Sequence, residues 1–279
     1  MATVPMFPGE VWLHIADELF LPDILHLSLS CTRLRDTCAE RLCNVQEQMR
    51  REYRSFTVHE AGKVDDFPWH VLLLKILRGE VVPSYIVEVA GYLDYVALSD
   101  GVGDYISYSG TPGLSIDDEE RIRYAVDSSP WIYKNEAQDY CRKIGLGNED
   151  AVLCVLVPLL TNLRDFVPPI NTVSLPVVIG RIAAASAKHL GETSSLGKEP
   201  GQGVAETLPL RKLVLVRTYA YNVDDHGISL EGIAPFTALP SVRRIWVMCV
   251  RNETFCGWPE DLPLSRVPEV YFGIAMSQL

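Results

Sequence analysis

Positive charge is in short supply. Lys and Arg number 25 against 36 Asp and Glu, a net charge of −11 at pH 7. Gripping a phosphate backbone needs clustered cations, so a nucleic-acid partner is not expected. Cysteine is sparse as well: seven residues with no Cys-x-x-Cys pair, which argues against both a disulfide framework and a zinc site. Reduced thiols point to cytoplasm or nucleus. The longest apolar run, Ala151 to Leu160, is about half a membrane span, so no membrane partner is expected. Met1 to Phe7 carries no positive charge and no apolar stretch, and no secretory signal is read there.

Catalytic spacing is also missing. Neither G-x-S-x-G nor G-x-x-x-x-G-K-[ST] occurs, and Gly101-Val102-Gly103 is followed by Ile106 where a dinucleotide loop has its third glycine. Asp224-Asp225-His226-Gly227 is the densest polar cluster; a solvent loop explains it as well as a metal or acid–base site does. Cys249 and Cys256 would be reactive only with a base beside them. No catalytic residue, metal ligand or cofactor is assigned, and a non-enzyme is expected.

What is present is a concentration of apolar residues in Phe7 to Leu42. Val11, Ile15 and Leu19 recur at i, i+4, i+8, one stripe of a helix that Trp12 broadens. Pro8 suits a helix start, where its missing N–H costs nothing. Pro22 stops that helix and opens a second, in which Ile24, Leu27, Cys31 and Leu34 form the stripe, with Leu25 and Leu29 alongside. Arg33, Arg35, Glu40 and Arg41 give a third segment its charged face; Leu34, Cys38 and Leu42 continue the inner one. Cys31, Cys38 and Cys43 read as small core residues. Three short helices result, with more apolar side chains than so small a unit can bury.

The order of these parts resembles the F-box, which docks on the Skp-type adaptor of cullin ubiquitin ligases. Phe7-Pro8 stands at the family's Leu-Pro; Glu10, Val11, Ile15 and Leu19 match its first helix; Pro22-Asp23-Ile24-Leu25 matches its second. Cys31-Thr32-Arg33-Leu34-Arg35 matches its cysteine-basic signature. Phe7 replaces the usual leucine, and Leu34 stands where many members carry tryptophan; both keep bulk and apolarity. The resemblance implies that Phe7, Pro8, Val11, Trp12 and Ile15 contact the adaptor, and through it a cullin. It places Leu19, Leu25 and Leu29 inside.

Domain expectations follow: 1–50 the F-box, 51–145 a mostly helical connecting region, 146–279 a substrate-recognition region. In the second, Gln46 to Ser55 continues as an arginine-rich helical tail, and Trp69, Leu72, Leu73, Ile76 and Leu77 mark a helix capped by Gly79. Val81 to Leu98 mixes strand and helix signals. This stretch resembles the one that follows the F-box in many filamentous-fungal F-box proteins. Residues 100–150 hold eleven acidic against five basic side chains. The acidic run Ser115 to Glu120 reads as a helix start, Ser115 or Asp117 capping and the next carboxylates facing the positive end of the dipole.

In the third region an L-x-x-L-x-L arrangement recurs. It appears as Leu210-x-x-Leu213-x-Leu215, as Val242-x-x-Ile245-x-Val247 and as Val267-x-x-Val270-x-Phe272, after a short form at Leu163 to Phe166. Helix-like pieces, Val177 to Leu190 and Leu230 to Phe236, lie between. Alternation at 32 and then 25 residues fits an irregular leucine-rich-repeat solenoid, in which neighbouring units close one another's core; an unrelated parallel α/β domain fits the alternation too. The pairing with an F-box and the phrase Leu239 to Ile245 resemble fungal F-box proteins with leucine-rich repeats. Residues 191–207, polar and rich in Gly and Ser, read as a flexible insertion, and the residues after Phe272 do not read as a terminal cap. The expected fold class is α+β or α/β: a three-helix F-box, a helical connector and irregular repeats.

Function is expected to be that of a substrate-recognition subunit of an SCF-type ubiquitin ligase, binding an unknown protein substrate. Arg211, Arg243, Trp246 and Arg251 are a loose basic-aromatic set suited to an acidic or phosphorylated segment, although a core role for Trp246 fits equally. An adaptor-binding scaffold outside the cullin complex, and an α/β enzyme with an unrecognised site in 146–279, are the alternatives.

Overall fold

The structure is a computed structural model; the residues it describes are 8–19, 21–30, 32–57, 68–91, 113–169, 172–195, 208–218, 228–248, 250–251 and 267–273. Three helices come first: α1 (Gly9–Asp17), α2 (Leu21–Ser30) and α3 (Thr32–Glu52). Ala16, Ile24 and Cys38 form their small core, with Leu19, Leu27, Leu42 and Val45 packed around it. This core is separate from the main one. Cys43, expected to be a core residue, is exposed. Leu29, expected inside, is exposed too: it lies about 140° around α2 from Ile24 at ~100° per residue, off the buried stripe.

Helix α3 leads through a two-residue turn, Tyr53 and Arg54, into the first strand of a six-stranded sheet. Its strands are β1 (Ser55–Thr57), β2 (Glu88–Ala90), β3 (Asp165–Val167), β4 (Leu215–Thr218), β6 (Arg244–Met248) and β8 (Glu269–Gly273), in the order β1-β2-β3-β4-β6-β8. All five pairings are parallel. Two short strands, β5 (Ile228–Ser229) and β7 (Val250–Arg251), pair separately, also in parallel. Chain order and sheet order therefore agree, each strand being added beside the last. Both β1 and β2 fall in the stretch expected to be a helical connector, and their sheet and core are continuous with those of the later strands.

The helices between strands are α4 (Pro68–Leu77), α5 (Ile116–Ser128), α6 (Ala137–Gly145), α7 (Glu149–Leu159), α8 (Ser174–Ser195) and α9 (Leu230–Thr237). Their starts and stops are chemically explicit. Ser115 Oγ accepts from the Asp118 N–H, and the Asp118 carboxylate accepts from the Ser115 N–H, a capping box. Asn148 caps α7 by accepting from the Ala151 N–H at 2.8 Å. Asp150 accepts from the N–H groups of Val173, Ser174 and Leu175, holding the start of α8. Gly79 ends α4 at φ +76°, a conformation that costs a residue without Cβ little. Helix α8 continues to Ser195, so the first residues of the 191–207 run are helical. Among the described residues no helix is long and apolar enough to cross a membrane.

The main core shows which residues set the register. Leu160, Leu163 and Phe166 are fully buried; Leu210, Leu213 and Val216 occupy the same three places before and in β4, and Leu239, Val242 and Ile245 before and in β6. In each unit the second residue donates its N–H to the carbonyl of the first, at 3.2, 3.0 and 3.3 Å. Pro83 and Ile86 repeat that turn ahead of Val89 in β2. The recurring phrase is thus apolar-x-x-apolar-x-x-apolar. For Val242-Ile245-Val247 the expected frame agrees with this one. For Leu210-Leu213-Leu215 it is displaced by three residues: Leu213, Val216 and Thr218 point inward, while Leu215 is half-buried on the opposite face. Leu215, a leucine on the outward face, makes the two frames look alike in the sequence.

Candidate functional site

Pro8 starts α1 in extended conformation, and its carbonyl accepts from the N–H groups of Val11 at 3.1 Å and Trp12 at 3.4 Å. Of the described α1 side chains only Ala16 is buried. Val11, Leu13 and Ile15 are 38%, 40% and 37% exposed, Pro8 is exposed, and Trp12 is half-buried. Leu29 on α2 is 71% exposed. An apolar helix that, among its described side chains, buries only an alanine and leaves larger apolar groups in solvent has the character of an interaction surface. Phe7 and the side chain of Leu25 lie outside the described residues. Leu13 and Leu29 were absent from the expected site; the periodicity that fixes the buried stripe also marks Leu29 as outside it.

A second surface is the sheet face turned away from the helices. Arg217 donates to both carboxylate oxygens of Asp165, at 3.0 and 2.5 Å, across two neighbouring strands. Arg244 pairs with Glu269 at 3.2 Å. Trp246 and Tyr271, opposite each other in register, meet edge to face with ring centres 5.7 Å apart, both about half exposed. Trp246 is therefore a surface residue, whereas Arg211 and Arg243 sit at the turns that lead into the strands. The side chain of Arg251 lies outside the described residues.

Groups with chemical potential are few in the described part. Burial pushes the Glu149 carboxyl up to about 7, with no charged neighbour contributing. Burial likewise raises the Cys154 thiol and the Tyr140 hydroxyl, which lie side by side; that is the reverse of what activates a nucleophile. His70, buried with its Nε2 2.8 Å from the Ile144 carbonyl, is held toward its neutral form by desolvation. Among the described residues no group of three His, Cys, Asp or Glu could hold a metal ion. Asp224 to Gly227, Cys249 and Cys256 lie outside them.

No protein-family model, curated protein or solved structure matches the chain.

Proposed function

We propose that the chain is the substrate-recognition subunit of an SCF-type ubiquitin ligase, docking on a Skp-type adaptor through α1 and carrying a substrate on its sheet. The observation that supports the first half most is the exposure of Val11, Leu13 and Ile15 on a three-helix unit whose core, among the described residues, is small and centred on Ala16, Ile24 and Cys38. A partner that covered these side chains would supply the burial the unit lacks. This unit resembles an F-box in sequence, and a two-residue turn joins its α3 to β1.

Support for a repeat platform comes from the shared turn-and-strand phrase and from parallel strands added in chain order. We read this as an irregular leucine-rich-repeat solenoid, each unit completing its neighbour's core. Members of the family it resembles carry no catalytic residue. They raise the rate of ubiquitin transfer by holding the target near the charged enzyme, which makes the encounter effectively intramolecular.

Co-purification tests the reading. The full chain is expected to retain a Skp-type adaptor, and a Pro8→Ala/Val11→Asp variant with an unchanged circular dichroism spectrum is expected to lose it. Equal retention by both would refute the docking assignment. Cullin in the same complex separates the ligase reading from an adaptor-bound scaffold.

A further inference from the structure

Two groups of arginines lie on the sheet of this acidic chain. Those on the outer sheet face are neutralised, Arg217 by Asp165 and Arg244 by Glu269. Others stand at the leading edge of the sheet, one residue before each strand's first paired residue. The positions in register there are Arg54, Val87, Arg164, Val214 and Arg243, tied by backbone hydrogen bonds that run from each to the next. Arg54, Arg164 and Arg243 are exposed, and none forms an ion pair with a described carboxylate.

These three recur on every second strand. With strands about 4.8 Å apart, the guanidinium groups are rooted about 10 Å from one another along a nearly straight row. Further cations flank the row. Arg50 lies over the Tyr85 ring at 5.3 Å, and Lys212 Nζ donates to Asn162 Oδ1 at 2.5 Å. Arg50, Arg51, Arg54, Tyr85 and Asn162 line an open groove of about 450 Å³. Of the nearby carboxylates Glu47 is taken by Arg51 at 3.2 Å, and Glu88 is one residue further on, at the outer-face position of β2.

We propose that this leading edge is a docking surface for an acidic, extended segment of a partner protein. An extended chain of the polyproline-II kind has three residues per turn and advances about 3.1 Å per residue, so carboxylates at every third position share one face and repeat at about 9 Å, close to the spacing of the arginine row. Guanidinium groups pair with carboxylates through two parallel hydrogen bonds, which gives the contact direction as well as attraction. The overall charge of −11 works against long polyanions, which would meet the acidic remainder of the chain. The proposal is independent of the adaptor-docking reading, because α1 takes no part in the edge.

The test is fluorescence anisotropy of the full chain with a labelled peptide bearing glutamate at every third position, beside a glutamine copy. The glutamate peptide is expected to bind, the glutamine copy to lose binding, and added salt to weaken the complex. Replacing Arg54, Arg164 and Arg243 together by Gln is expected to weaken it about tenfold, the sum of three exposed charge contacts. Arg123→Gln, on α5, is expected to change nothing. Should the triple variant fail to fold, the single variants decide, each expected to lose about twofold. Undiminished binding by these variants, equal binding of the glutamine copy, or equal binding of a single-stranded RNA of matched charge would overturn the proposal.

Discussion

Arg78 holds Asp118 with two hydrogen bonds, Nε at 2.9 Å and Nη2 at 2.7 Å, while the same carboxylate closes the first turn of its own helix on Ser115. One buried side chain thus fixes both where α5 begins and where it meets the end of α4. The Arg78 guanidinium, helped by the Ser115 donors, holds the Asp118 carboxyl at about 2 although burial acts the other way.

A pH dependence follows from that depression. The stabilisation is fully present above the ordinary carboxylate value near 3.8 and is lost as pH falls through about 4 toward 2. Asp118→Asn is expected to be less stable than the natural chain by about 2 kcal/mol at pH 7. Thermal unfolding of the two proteins from pH 7 to pH 2.5 should show that gap closing only at the acid end. A gap independent of pH would assign the effect to shape alone.

The shared turn-and-strand phrase makes a sharper prediction. Leu213 points into the core and Leu215 out of it, two residues apart in sequence. Urea denaturation should show Leu213→Ala costing about 2–5 kcal/mol and Leu215→Ala less than about 1 kcal/mol. The opposite order would restore the frame that the sequence pattern alone favours.

Arg181 offers a test of geometry with charge held constant. It donates to both Glu136 oxygens at 2.7 Å and to the Trp131 carbonyl at 2.8 Å, and lies 3.8 Å from the Tyr133 ring centre. Lysine keeps the charge but loses the paired donors and the flat stack. Arg181→Lys is expected to lower stability by about 1–2 kcal/mol, read as a drop in Tm. An unchanged Tm would show the ion pair to matter only as a point charge.

How much of this was legible in sequence depends on element length and chemistry. The helices were readable because stripes and caps are local: Ser115 with Asp118, Gly79 after Ile76-Leu77, and the apolar Ala151 to Leu159. The strands are two to five residues long, too short for alternation to stand out. Ser55-Phe56-Thr57 was hidden behind the arginines of α3. Register at β4 is not legible in sequence because Leu215, an outward residue, supplies a false third leucine, and only neighbouring strands decide between the two frames. At the candidate docking helix, Pro8, Val11, Trp12 and Ile15 were named from the resemblance, and the described structure leaves them open to solvent or half-covered. Leu13 escaped notice because it falls off the stripe, and for an interaction surface that position is an advantage. The arginine row at the leading edge could not be seen at all, since its members are separated by scores of residues and meet only through strand register.

The most direct measurement of the central claim is amide hydrogen exchange of the full chain, free and with a Skp-type adaptor. Docking through α1 predicts slowed exchange confined to the α1 and α2 amides, with the sheet unchanged. No protection anywhere in α1 and α2 at saturating adaptor, or protection centred on the sheet, would contradict it.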